Sequence, residues 1–204
     1  MNTSLLRRRE ALLSLAALAA APAWAHGAGH EPLPDLAVVP GDSIYRLDAK
    51  LEDQDGRPFA LASLQGTPVL ASMFYTSCST VCPMIFESMH ANLRALSARE
   101  REAVRVLMVS FDPARDTQAV LKKTAQQHHC DSRWTLARCD EATARKVAAV
   151  LGIQYRRLAD GEYNHSSTID VLDAQGRIVA RSGKLGAADP AVAAALRKLP
   201  PRVG

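Results

Sequence analysis

Short apolar runs alternate with segments of helical periodicity between residues 69 and 151. Runs rich in apolar residues at 69–75, 104–111 and 134–137 are typical of strands that are buried on both faces. Between and after them, apolar residues recur at intervals of three and four over 83–98, 117–129 and 140–151, which predicts three helices with one buried face each. Strands that alternate with helices indicate an α/β domain with parallel strands joined by right-handed crossovers.

Turn residues predict a hairpin on each side of this alternating region. Extended segments at 45–51 and 59–61 flank a turn cluster at 53–58, which predicts a hairpin ahead of the main sheet. A second hairpin is predicted at 167–180, around the turn at 173–176. Residues 155–165 between the sheet and this hairpin are interpreted as a polar loop, and an alanine-rich helix is predicted over 189–199. No second domain boundary is visible, so we expect one domain over residues 42–204.

The first 41 residues have the composition of an export signal and a tether. Arginines at 7–9, an apolar stretch at 12–23 and the small-x-small sequence that ends at Ala25 predict a signal over 1–25. Its arginines also resemble a twin-arginine signal, and its apolar stretch is too short to span a bilayer comfortably. The Pro- and Gly-rich residues 26–41 predict a flexible tether that carries His26 and His30. We expect a periplasmic or otherwise exported, soluble protein without a membrane span after cleavage, with an uncleaved anchor as the alternative.

Length and charge narrow the class of partner. A chain of 204 residues suits one α/β domain with a sizeable core. The formal net charge is only +4, and basic and aromatic residues do not interleave, which argues against a nucleic acid partner. We expect the mature protein to be a monomer.

The best chemical candidate is the pair Cys78 and Cys82, which follows the first buried strand. Pro83 suits the first turn of a helix, so the predicted order is strand, loop, helix, with Cys82 at the helix start. A helix N-terminus favours thiolate over thiol, and residues four apart share one helical face. The pair can therefore close a disulfide or bind a soft metal ion. Asp112 directly follows the next strand and should lie at the same sheet edge.

The other two cysteines, Cys130 and Cys139, are not expected to form a disulfide. Four cysteines in an exported protein usually indicate two disulfides. Here Cys130 precedes and Cys139 follows the strand at 134–137. Four strand residues at ~3.3 Å each exceed the ~7 Å that a disulfide allows between Cα atoms. Each is interpreted as a small buried hydrophobe, with a redox role for Cys139 beside the main pair as an alternative.

His165 can complete a soft set of metal ligands with the cysteine pair. It lies in the segment before the second hairpin, which could fold over the sheet edge that carries Cys78. Two thiolates and one imidazole suit Cu(I), whereas a structural zinc site would need a fourth ligand. Met84 is a weaker candidate ligand beside the site, and Met89 fits core packing. A surface position is the alternative for an isolated loop histidine.

Three motifs in order resemble the Sco/SenC family. They are Cys78-x-x-x-Cys82-Pro83 after a strand, the segment 110–117 (SFDPARDT), and Asn164-His165-Ser166. The likeness covers residues 42–199 and implies a thioredoxin-like, peroxiredoxin-related fold with a central mixed sheet flanked by helices. It also implies that copper, as Cu(I) or Cu(II), is bound by Cys78, Cys82 and His165, with Asp112 nearby. Two departures, Asn164 in place of the family's usual Asp and a short segment at 155–165, are consistent with a divergent branch.

Three functions are compatible with this resemblance. The first is a metallochaperone that delivers copper to a respiratory enzyme, namely to the binuclear copper site of a cytochrome c oxidase subunit. The second is a thiol–disulfide oxidoreductase in which Cys78 attacks a partner's disulfide and Cys82 resolves the mixed disulfide. The third is a peroxidase, for which the sequence offers no specific motif. His165 separates the first two, because trigonal copper requires it and disulfide exchange does not.

Overall fold

The computed structural model describes residues 43–199 of the chain. The expected export signal at 1–25, the tether at 26–41, His26 and His30 lie outside the described residues. The strands are β1 (Lys50–Glu52), β2 (Pro58–Ala60), β3 (Val69–Phe74), β4 (Arg105–Ser110), β5 (Trp134–Ala137), β6 (Tyr155–Arg157), β7 (Tyr163–His165), β8 (Ile169–Leu172) and β9 (Ile178–Ser182). The α-helices are α1 (Val81–Arg94), α2 (Ala98–Glu102), α3 (Gln118–Gln127), α4 (Glu141–Val150) and α5 (Pro190–Lys198).

A mixed five-stranded sheet in the order β5-β4-β3-β8-β9 forms the centre of the domain. Strand β4 pairs in parallel with β3 and β5, whereas β8 is antiparallel to both of its neighbours. The predicted hairpins are present as the antiparallel pairs β1–β2 and β8–β9. The predicted mixed α/β sheet is therefore confirmed, and the carboxyl ends of β3, β4 and β5 lie along one edge.

The core is built on β3, in which all six residues are buried. Helix α1 presents a buried apolar face that includes Phe86 and Met89, so the prediction of core packing for Met89 is confirmed. The ring of Phe86 meets Phe74 edge-on at 5.5 Å and stacks on His128 at 4.0 Å. Each fully buried side chain of this size contributes roughly 1.5–3 kcal/mol, so α1 is firmly attached where it carries Cys82.

Side-chain caps fix the ends of several helices. Thr117 accepts a hydrogen bond from the N–H of Val120 and begins α3, and Asp140 does the same for Thr143 and α4. Both caps are confirmed predictions, and each contributes about 1 kcal/mol to the free energy of unfolding. Gly152 follows α4 with a φ of 65°, a left-handed conformation that only glycine adopts at low cost. The sequence pattern therefore places these helix ends correctly.

Three expectations need correction. Residues 44–46 form a 3-10 turn rather than an extended segment. The helix predicted over 83–98 ends at Arg94, because Ser97 and Glu100 form a capping box that starts the separate helix α2. The segment 155–165, interpreted as a loop, contains the antiparallel hairpin β6–β7. Its three-residue strands are too short to show an alternating pattern that differs from that of a polar loop.

Candidate metal centre

The loop between β3 and α1 carries Cys78, and the first turn of α1 carries Cys82. Cys78 is half-buried and Cys82 is only 3% exposed. The backbone N–H of Cys82 donates to the Sγ of Cys78 at 3.3 Å. The first N–H groups of a helix have no partner within the helix, so this sulfur receives one of them together with the positive end of the helix dipole.

His165, the last residue of β7, lies beside the cysteine pair. The ligand atoms of Cys78, Cys82 and His165 all lie within 4.8 Å of one another. The imidazole Nδ1 is 3.0 Å from the carbonyl oxygen of Ser166, which can only accept a hydrogen bond, so Nδ1 carries the proton in this contact. That tautomer leaves the lone pair of Nε2 free to bind a metal ion. The structure thus brings together the three residues that the sequence analysis selected.

The two thiols have opposite acidities. The main cause that lowers the pKa of Cys78 to about 3 is a hydrogen bond from the Cys82 thiol. The adjacent imidazole of His165 and backbone N–H groups act in the same direction, and burial acts in the other. The pKa of Cys82 is raised because its proton is held by Cys78 and because the side chain is buried. The resting pair is therefore one thiolate and one thiol that share a proton. Binding a metal through both sulfurs must release the proton of Cys82.

An aromatic platform supports the imidazole. Tyr75 and Phe111 follow β3 and β4 directly, and their ring centroids lie 5.7 Å and 5.2 Å from that of His165. Tyr163, two residues earlier on the same face of β7, contacts both rings at 5.1 Å. Asn164 between them is exposed, so the residue in which this chain departs from the family pattern points away from the platform.

Asp112 lies at the expected sheet edge but contacts the hairpin rather than the sulfurs. Its side chain is buried and forms an ion pair with Arg115. Burial is the main cause of the raised pKa of Tyr163. The negative charge of Asp112 and a hydrogen bond between the two side chains raise it further. Asp112 is not part of the group of possible metal ligands. Its contacts with Arg115 and Tyr163 connect it to the β6–β7 hairpin that carries His165.

Asp116 lies within the motif at 110–117, but the sequence analysis gave it no role. Its carboxylate is fully buried and accepts hydrogen bonds from the N–H and the hydroxyl of Thr76 and from the hydroxyl of Ser110. Burial raises its pKa, and its charge contributes to the raised pKa of Cys82. Asp116 therefore anchors the start of the cysteine loop. The available signal was a second acidic residue four positions after Asp112.

The remaining candidates, Met84, Cys130 and Cys139, have other surroundings. Met84 is 40% exposed and packs near Gly186. Cys130 and Cys139 are free thiols, which confirms that they form no disulfide, and burial raises the pKa of each to about 12. Within residues 43–199 no other group of His, Cys, Asp or Glu has ligand atoms this close, and no helix has the length and apolar character of a membrane span.

The sequence and the fold are similar to those of one family of known proteins. The family model for SCO1/SenC matches residues 43–199. The copper-bound structure of ScoI from Bradyrhizobium japonicum is 28% identical, with a TM-score of 0.62 over 74% of this chain and 96% of that chain. A SCO1/SenC family lipoprotein from Bacillus anthracis is 25% identical, with a TM-score of 0.66 over 74% and 92% of the two chains. The SCO1 protein homolog of Bacillus subtilis is 36% identical over 77 residues, which cover 38% of this chain and only 39% of that relative.

Proposed function

The chain belongs to the SCO1/SenC family, and from this premise we propose that it is a copper-binding metallochaperone that delivers copper to a respiratory copper enzyme. Its acceptor would be the binuclear copper site of cytochrome c oxidase. The observation that carries the proposal is the convergence of two sulfurs and one imidazole nitrogen within 4.8 Å. The copper bound to ScoI of Bradyrhizobium japonicum supports copper as the cargo.

The donor set fits Cu(I) better than harder ions. Thiolate and imidazole are soft or intermediate ligands, and thiolates favour Cu(I) over Mg²⁺, Ca²⁺ or Mn²⁺. Metal–sulfur and metal–nitrogen bonds of about 2.3 and 2.0 Å, as zinc makes, would put the donors of one trigonal ion roughly 3.5–4 Å apart. Donors within 4.8 Å need to move only slightly to meet that geometry. A closed zinc site would need a fourth ligand, and the group found within residues 43–199 contains three.

The unequal exposure of the two sulfurs suits transfer. Cys78 is half-buried, so an acceptor's thiolate can approach an ion bound to it, whereas Cys82 is buried and is not accessible from solvent. A three-coordinate ion has room for an incoming ligand before an outgoing one leaves. Copper can therefore pass by ligand exchange without being released into solvent.

A second function, thiol–disulfide exchange, is favoured by the lowered pKa of Cys78. Its thiolate would attack a disulfide of the partner, forming a mixed disulfide and releasing one partner thiolate. Cys82 would then lose its proton and attack Cys78 Sγ, releasing the second partner thiolate. The partner disulfide is reduced by two electrons, and the pair Cys78–Cys82 is oxidised to a disulfide. Such a step would prepare the cysteines of a copper acceptor to receive the metal.

We further propose that this function is carried out outside the cytoplasm by a monomer. The basis is the sequence of residues 1–25, which has the order of an export signal, followed by a tether at 26–41. The three proposed copper ligands all lie within residues 78–165, so they stay in the protein whether the signal is cleaved or kept as an anchor.

A copper titration of the reduced mature protein tests the proposal. The expected result is one Cu(I) per chain, measured by competition with a chromogenic chelator, and loss of tight binding in Cys78→Ser, Cys82→Ser and His165→Ala. The matched control is Cys130→Ser with Cys139→Ser, which should bind copper like the wild type. If His165→Ala kept full copper affinity while reduction of a partner disulfide depended on Cys78, the protein would be a reductase and not a copper chaperone.

A further inference from the structure

The geometry points to Arg115 as the positioning residue that holds His165 over the cysteine pair. This inference rests on the proposed function, because it concerns the same copper site. Arg115 does not belong to the group of possible metal ligands. It acts through the β6–β7 hairpin, residues 155–165, whose last residue is His165.

Arg115 bridges the sheet edge and the turn of the hairpin. Its Nε donates to the carboxylate of Asp112, which follows β4, and one of its Nη groups donates to the carbonyl oxygen of Gly161 at 2.7 Å. The guanidinium carbon also lies 5.7 Å from the ring centroid of Tyr163. A planar guanidinium can serve two acceptors and an aromatic ring at once, which a lysine ammonium does with less geometric definition.

The hydrogen bond from Arg115 is made to the turn of the hairpin. Gly161 lies in the turn between β6 and β7 with a φ of 86°, four residues before His165. The other end of the hairpin is tied by backbone and side-chain hydrogen bonds between Gln154 and Ser166, both at 2.9 Å. Arg115 therefore fixes the turn while Gln154 and Ser166 fix the base. A short hairpin held at both ends can move its terminal imidazole very little.

Tyr75 makes a second polar contact with the same turn. The hydroxyl of Tyr75 donates to Glu162 at 2.8 Å. Tyr75 also packs against His165 and hydrogen-bonds Cys78, so a change there would disturb the metal ligands directly. Arg115 contacts neither sulfur in the described structure and is the cleaner position to test.

Loss of the Arg115 bridge should weaken copper binding only because it releases His165, with no effect on the two sulfur ligands. In Arg115→Gln the fraction of molecules with the imidazole in place falls, and the apparent affinity falls by the same fraction. We expect a roughly tenfold loss of Cu(I) affinity, the change that follows from losing one hydrogen bond to a charged group. The same substitution in a His165→Ala background should change copper affinity less than twofold, since no imidazole remains to be positioned.

The experiment measures Cu(I) affinity in the wild type, Arg115→Gln, His165→Ala and the double variant, with Arg57→Gln as the control for loss of an exposed arginine. Hydrogen exchange of the copper-free protein is measured in parallel, and Arg115→Gln should speed the exchange of the amides of residues 163–166. Arg115→Lys should recover part of both effects. Asp112→Ala, which removes the acceptor of the Arg115 Nε–H, should reproduce both effects if Arg115→Gln does not fold.

Two results would overturn the inference. One is wild-type exchange at residues 163–166 in Arg115→Gln, and the other is an equal loss of affinity with and without His165. Failure of the wild type to bind copper would instead refute the proposed function, and the exchange measurement would still decide the role of Arg115.

Discussion

The unequal acidity of the cysteine pair predicts an unusual pH profile for alkylation of Cys78. With a pKa of about 3, this thiol is about 99% ionised at pH 5, whereas an ordinary thiol of pKa ~8.5 is only about 0.03% ionised. The ratio of thiolate fractions is then roughly 3,000. A thiolate that is less basic by about 5.5 pKa units is intrinsically slower by a few hundredfold, because nucleophilicity falls with a Brønsted slope of ~0.4–0.5. Cys78 should therefore react roughly tenfold faster than an ordinary thiol at pH 5.

The decisive feature is the shape of the profile. The alkylation rate of Cys78 should be flat between about pH 4.5 and 8, because the thiolate fraction is already at its maximum. A small free thiol in the same samples should react about tenfold faster for each pH unit over that range. The assay is iodoacetamide labelling of the reduced protein with quantification of each cysteine peptide by mass spectrometry. Cys82, which is buried and whose pKa is raised, should stay unlabelled until the protein unfolds.

Two variants of Cys82 test the cause of the low pKa of Cys78. Cys82→Ala removes the thiol whose hydrogen bond is the largest contribution to the low pKa of Cys78, so the flat profile should acquire a rise within the measured range. Cys82→Ser keeps a hydroxyl donor and should preserve much of the flat profile. If the wild-type rate of Cys78 rose tenfold per unit between pH 5 and 8, the shared-proton description of the site would be wrong.

Two further predictions concern stability, measured by urea denaturation. Asp116→Ala leaves the N–H of Thr76 and two hydroxyls without their acceptor and should lower the free energy of unfolding by about 3 kcal/mol. Asp116→Asn, which keeps an acceptor, should lower it by about 1 kcal/mol. Equal stability of all three proteins would contradict the role of Asp116 as an anchor. Gly176→Ala would bring a Cβ to 2.5 Å from the Tyr45 ring at a φ of 78°, and we expect a loss of roughly 2–3 kcal/mol. The control Gly66→Ala has a φ of 89° but no atom within 4 Å and should cost only about 1 kcal/mol; equal losses would show that the Tyr45 contact is irrelevant.

Local rules explain why much of the fold was predictable from the sequence. The buried strands are continuous apolar runs, and Thr117 and Asp140 stand where a helix needs a side-chain acceptor. The strand–loop–helix order that places Cys78 and Cys82 follows from the same local patterns. These features depend on neighbours within about four positions, so the sequence reports them directly.

The features that were missed depend on contacts between distant parts of the chain. Thr76 and Asp116 are 40 residues apart, and nothing near either residue indicates that they meet. Strands β6 and β7 have three residues each and are stabilised by packing of their aromatic side chains on Phe111 and Tyr75. The position of His165 beside the sulfurs likewise depends on this tertiary packing, and only the motif resemblance indicated it in advance.

The central claim is that one copper ion is held by both sulfurs and by the imidazole of His165. X-ray absorption spectroscopy of the reduced protein loaded with one equivalent of Cu(I) tests it most directly. We expect a three-coordinate ion with two sulfur ligands and one nitrogen ligand that shows imidazole scattering. His165→Ala should lose the nitrogen while it keeps the sulfurs. A two-coordinate ion bound by sulfur alone in the wild type, with an unchanged spectrum in His165→Ala, would contradict the claim.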